Sequence, residues 1–146
     1  MFNIKKYEDL IKKLLGAGLK PTTNWNEKFN EKSLLLRHDV DFSIEFAHQL
    51  ALLENKLNIC STFFFMLTSN LYNPLSEHSQ KLVKDIANMG HKISIHFVPT
   101  AHESLDHFIF EKNVFENIFK KKDSLKGTPE DGSKNKKNID SKTNSK

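Results

Sequence analysis

The chain has 146 residues and a single cysteine, Cys60. One thiol excludes an internal disulfide framework and any zinc site built from several cysteines, and it makes a reducing cytoplasm the default expectation. No stretch approaches the run of about 18 apolar residues that a membrane span needs. The opening residues, MFNIKKYEDL, carry charge where a secretory leader would have an apolar core, so export by that route is not expected. There is no G-x-S-x-G elbow, no phosphate-binding glycine loop and no internal repeat, so a serine-nucleophile or nucleotide-cradling reading has no local support.

What is present is unevenly spread. Lys and Arg total 22 against 18 acids, a net charge of +4. From Lys120 to Lys146 there are nine Lys and four acids, while the 119 residues before them carry 13 bases and 14 acids. The pI near 9.1 therefore belongs to the end of the chain. All 15 aromatic residues precede Lys120, and Leu125 and Ile139 are the only apolar residues after Phe119. Such a segment cannot bury enough surface to offset its ordering entropy. The expectation is one folded domain over 1–119 and a disordered basic tail over 120–146. The tail's charge is diluted by acids and lacks interleaved aromatics, so no nucleic-acid partner is expected.

Periodicity orders the folded part. Tyr7, Leu10, Ile11, Leu14 and Leu15 mark one face of a helix that Gly16 and Gly18 end, with Pro21 following. Thr22–Lys32, polar but for Trp25 and Phe29, reads as a surface connection. Ser33–Val40 predicts a strand buried on both faces. Ser43 caps a helix with Phe46, Ala47, Leu50, Leu53 and Leu57 inward. Ile59–Leu67 predicts a second strand, with Cys60 a small buried residue. A loop around Pro74 leads to a helix from Ser76 to Met89, ended by Gly90. Lys92–Val98 alternates Ile93, Ile95 and Phe97 against Ser94 and His96, a third strand. A last helix covers about Leu105–Lys120. Strands separated by helices imply a parallel α/β sheet with right-handed crossovers.

The densest polar cluster is Arg37-His38-Asp39-Val40-Asp41, at the C-terminal end of the first strand, where α/β folds place their sites. Asp39 and Asp41 lie two apart and point the same way on an extended chain. Two close carboxylates favour a cation or a shared proton between them. The plainer alternative is that they cap the next helix and meet its dipole. His96 ends the third strand at the same edge and is a candidate ligand. His91 lies at the other end of that strand and is expected to make a structural hydrogen bond to the backbone. His102, His107 and Glu103 lie beyond Pro99, within possible reach of the site. The Phe63-Phe64-Phe65 run reads as core.

Three blocks, Leu36-Arg37-His38-Asp39-Val40-Asp41, Ser61-Thr62-Phe63-Phe64 and Gly90-His91-Lys92-Ile93-Ser94-Ile95-His96, resemble in order and spacing the polysaccharide deacetylase superfamily of carbohydrate esterases, within its Arg-His-Asp-Val-Asp branch. The resemblance covers about Tyr7 to Phe119. It implies the N-terminal part of a distorted (β/α) barrel and metal-dependent removal of acetyl groups from a polysaccharide or glycan precursor. By match it implies Asp39 as general base and Asp41 and His96 as ligands of a divalent metal, usually zinc. Arg37, His38 and His102 are accessory candidates. The sequence departs from the pattern where a second histidine would follow His96 by four residues: Thr100 stands there. The lysine-rich continuation also replaces the family's later strands, so a truncated barrel is expected, with a partner chain able to complete the sheet. A degenerate fragment without catalysis, or a module that binds a glycan or a partner without hydrolysis, is the alternative.

Overall fold

The structure is a computed structural model that describes residues 3–120 except Glu27 and Glu103. Apart from Lys120, the expected tail lies outside the described residues, as does Glu103. Each helix starts where the sequence offers a cap. Asn3 accepts from the backbone N–H groups of Lys5 and Lys6 to open α1 (Ile4–Gly16). Ser43, Ser76 and Ser104 do the same for α2 (Ile44–Lys56), α3 (Glu77–Asn88) and α4 (Leu105–Phe119). The strands are short: β1 (Lys20–Thr22), β2 (Ser33–Leu35), β3 (Arg37–Val40), β4 (Thr62–Phe65) and β5 (Lys92–Ile95).

All the pairing is parallel, in two open sheets. One holds β1 and β2; the other has the order β3-β4-β5. The expected strand over Ser33–Val40 is therefore two strands in different sheets, broken at Leu36. The Leu36 carbonyl already accepts from Thr62 N at 3.0 Å, so the chain changes partner there. Burial on both faces is not found either: Leu34, Leu35 and Leu36 are half-buried, and within β3 only Val40 is buried. The reason is that β3 is an edge strand with a neighbour on one side. The polar connection after Thr22 does return to β2, but β1 pairs with that strand, a contact too short to leave a periodic signal. The described residues form no closed barrel.

In the larger sheet Asp39 is in register with Phe64, and Phe64 with Ser94. Side chains alternate across a strand. One face carries Val40, Phe63, Phe65, Ile93 and Ile95, which join Ala47, Leu50, Val83, Ile86 and Phe115 of α2, α3 and α4 in a single buried cluster. The other face carries Arg37, Asp39, Thr62, Phe64, Lys92 and Ser94. Gly90 turns the chain from α3 into β5 with φ +94°, a left-handed conformation that favours glycine. Four expected packing positions differ. Phe46 is exposed, and α2 buries Glu54 instead of turning Leu53 fully inward. Phe97 is exposed because β5 stops at Ile95, and its ring stacks on His102 at 5.1 Å. Cys60 is half-buried. Among the described residues no helix is long and apolar enough to cross a membrane.

Candidate functional site

The polar cluster expected at a strand end instead forms β3 itself, with Arg37 opening it, and its alternate residues join a linked set of side chains on the open sheet face. Arg37, the chain's one arginine, lies two residues before Asp39 and so on the same face. Its Nε donates to Asp39 Oδ1 at 2.7 Å. Its guanidinium stands 4.3 Å from the centroid of the Phe64 ring, a cation–π distance. His96 follows β5, and its backbone N–H donates to Phe65 O at 2.7 Å, carrying the ladder one residue past the strand. That bond brings His96 Nε2 to 3.4 Å from Asp39 Oδ2. The other ring nitrogen, Nδ1, is buried and has no hydrogen-bond partner among the described residues. Partial burial pushes the Asp39 carboxyl up, but Arg37 and His96 outweigh it and hold the group below the usual range. Asp39 is therefore an anion at neutral pH.

Asp41 lies just beyond β3 and is exposed. Its charge and, more strongly, burial push the Tyr72 phenol up to about 12. That hydroxyl donates to Val40 O at 2.6 Å and accepts from Met66 N at 2.9 Å, tying the ends of β3 and β4 together. A cleft of about 450 Å³ runs beside the edge strand, lined by Arg37, Asp39, Asp41, Phe42 and Phe46.

The other candidates go elsewhere. His38 alternates to the helix-covered face, where its Nε2 lies 2.7 Å from Glu54 Oε1. His102 Nδ1 accepts from Val98 N at 3.1 Å, and its Nε2 lies 3.0 Å from Glu111 Oε2. His107 Nε2 stands 3.6 Å from the same carboxylate. Thr100 sits in the turn after β5. Among the described residues no three of His, Cys, Asp and Glu converge as a group that could hold a metal. A catalytic zinc takes three protein ligands. Asp41 and His96 are two, and His96 is turned toward Asp39, so the residues present do not fit a complete centre.

A second constellation was not foreseen. Glu54 is fully buried and is reached from several elements. Tyr7 of α1 donates its hydroxyl to Oε1, and Ser61 Oγ donates to Oε2 at 2.6 Å. His91 Nδ1 stands 3.6 Å from the carboxylate. Burial pushes the Glu54 carboxyl up; the bonds from His38, Ser61 and Tyr7 overcome it, and the group stays below its ordinary range. Burial also pushes the His91 imidazole down. Its Nδ1 accepts from Ser61 N at 3.1 Å, which leaves Nε2–H to donate to Ala51 O at 3.1 Å. His91 thus makes the backbone bonds expected of it. The available signal for Glu54 was spacing: it stands four residues after Leu50 and three after Ala51, on the inner face of α2.

Comparison of the chain with protein-family profiles, curated proteins and solved structures finds no match.

Proposed function

We propose that this chain is a polysaccharide-deacetylase-like α/β module that engages an acetylated glycan on the helix-free face of its three-stranded sheet. One observation carries the reading: Arg37, Asp39 and His96 form a connected polar set along an open sheet face, running from the first residue of β3 to the residue after β5, toward the strand ends where such folds collect ligands. The buried, unpartnered Nδ1 of His96 adds a polar atom that a ligand can satisfy. Asp39 accepts hydrogen bonds only, as an ionised carboxylate does, which suits sugar hydroxyls and an acetamide N–H. Arg37 keeps further N–H groups for a carbonyl or hydroxyl oxygen.

Two facts favour recognition over turnover. Metal-assisted deacetylation needs a metal to polarise the acetyl carbonyl and a base to take the water proton. Among the described residues the donors fall short of a metal centre. A carboxylate held below its usual range by an arginine is also a weakened base.

The test is calorimetric titration of a tetramer of N-acetylglucosamine into the purified chain, with acetate release assayed in parallel, with and without added zinc. The expected result is saturable binding without acetate. Asp39→Asn should weaken binding about 10- to 100-fold, the worth of hydrogen bonds to a charged group. Absence of binding by the native chain overturns the reading. Zinc-dependent acetate release that Asp39→Asn abolishes replaces recognition with hydrolysis.

A further inference from the structure

The open face has an aromatic wall that the Arg37–Asp39–His96 set does not account for. Trp25 lies in the segment between β1 and β2, and two hydrogen bonds fix that segment over the larger sheet. The indole Nε1 donates to Thr62 Oγ1 at 3.2 Å. Lys92 Nζ donates to the Thr23 carbonyl at 2.6 Å. Thr62 and Lys92 are register partners, in one row with Arg37. The indole and the Phe64 ring stand nearly perpendicular, centroids 6.3 Å apart, and Phe64 in turn carries the Arg37 guanidinium. Trp25, Phe64, Arg37, Asp39 and His96 thus run continuously along the face. The distance from the Thr62 row to the Met66 row is four residues of strand, about 13 Å.

Trp25 nonetheless leaves 44% of its surface exposed. Its one polar atom is already bonded to the protein, and the Phe64 ring packs against it. What remains for solvent is an apolar aromatic surface in a fixed orientation. Unlike the other exposed aromatics, this ring is fixed in place beside the charged set by its bond to Thr62 and its contact with Phe64. A pyranose has complementary needs: an apolar C–H face for an aromatic ring, and hydroxyls around its rim for charged partners. Trp25 supplies the first and the Arg37–Asp39 pair the second, side by side.

We propose that Trp25 is the stacking residue of a second sugar subsite on this face, holding the ring next to the one engaged by Asp39. This rests on the glycan reading above and extends it to an oligosaccharide rather than a single sugar.

The chain has one tryptophan, so its fluorescence reports on this position alone. The N-acetylglucosamine tetramer and monomer are titrated into the full chain, followed by calorimetry and by tryptophan emission. The tetramer should shift the emission saturably, with the same midpoint as the calorimetric curve. Trp25→Ala should weaken tetramer binding about 3- to 10-fold, the worth of one aromatic contact, and leave monomer binding unchanged. Trp25→Phe should restore most of the loss; should the alanine variant fail to fold, Trp25→Leu takes its place with the same loss expected, since it keeps bulk but no ring. Calorimetric binding with unaltered emission, or native tetramer affinity in the variant without an aromatic ring, overturns the role of Trp25 while leaving the Asp39 site standing. No calorimetric binding by the native chain overturns both.

Discussion

At Glu54 a carboxylate has no access to water, yet it stays ionised because α1, β3 and the residues before β4 each turn a hydrogen-bonding group toward it. A buried charge so paired is costly to break from one side. Glu54→Gln should lower stability by about 3–5 kcal/mol in urea unfolding at pH 7. Acid should have a related effect. The folded pKa of Glu54 is depressed, so its contribution is complete above its ordinary value of 4.5 and is lost as pH falls through the folded value. The folded pKa of His91 is also depressed, from 6.5, so the unfolded chain takes up that proton first. Stability should therefore decline in two stages, first below about pH 6.5 and then below about pH 4.5. A single stage below pH 5 would contradict the neutral, buried His91. The sequence signalled Asp39 because a charged pentad after a leucine run marks a strand end. It did not signal Glu54, because glutamate in a helix ordinarily faces solvent. The separation of His38 from Asp39 was legible in principle, since adjacent strand residues point to opposite faces.

The elements that aim the site are short, and the turns between them carry much of the specification. Gly90 is the clearest case. An alanine there would have to adopt φ near +94°, and its Cβ would approach Cys60 Sγ at 3.4 Å, an ordinary contact. The cost is thus conformational: Gly90→Ala should destabilise by about 1–2 kcal/mol, read as a lower thermal midpoint. An unchanged midpoint would mean that the turn into β5 relaxes freely. The helices were legible from their caps and apolar spacing, and β4 and β5 from β-branched and aromatic residues. The β2–β3 break was not. Nothing in Ser-Leu-Leu-Leu-Arg marks a change of sheet, because that change depends on which distant strand supplies partners.

Across the whole molecule, one face of the three-stranded sheet is packed against helices and the other carries the Arg37–Asp39–His96 set. The packed face rests on a few large side chains. Phe65 is fully buried and stacks on Phe115 with centroids 6.4 Å apart. Phe65→Ala should cost about 3–5 kcal/mol, a large part of the stability usual for a domain, and should be visible as a shifted urea midpoint in circular dichroism. The parallel α/β order was legible in the alternation of helix and strand patterns. The open face was not, because composition does not say which side of a sheet stays uncovered. That face puts Asp39, exposed and ionised, between Arg37 and His96. The most direct measurement is the calorimetric affinity of native chain and Asp39→Asn for the N-acetylglucosamine tetramer at pH 7. The result expected is saturable binding by the native chain, about 10- to 100-fold weaker in the variant, with unchanged circular dichroism. Equal affinity in the two, or no binding by the native chain, would contradict the account.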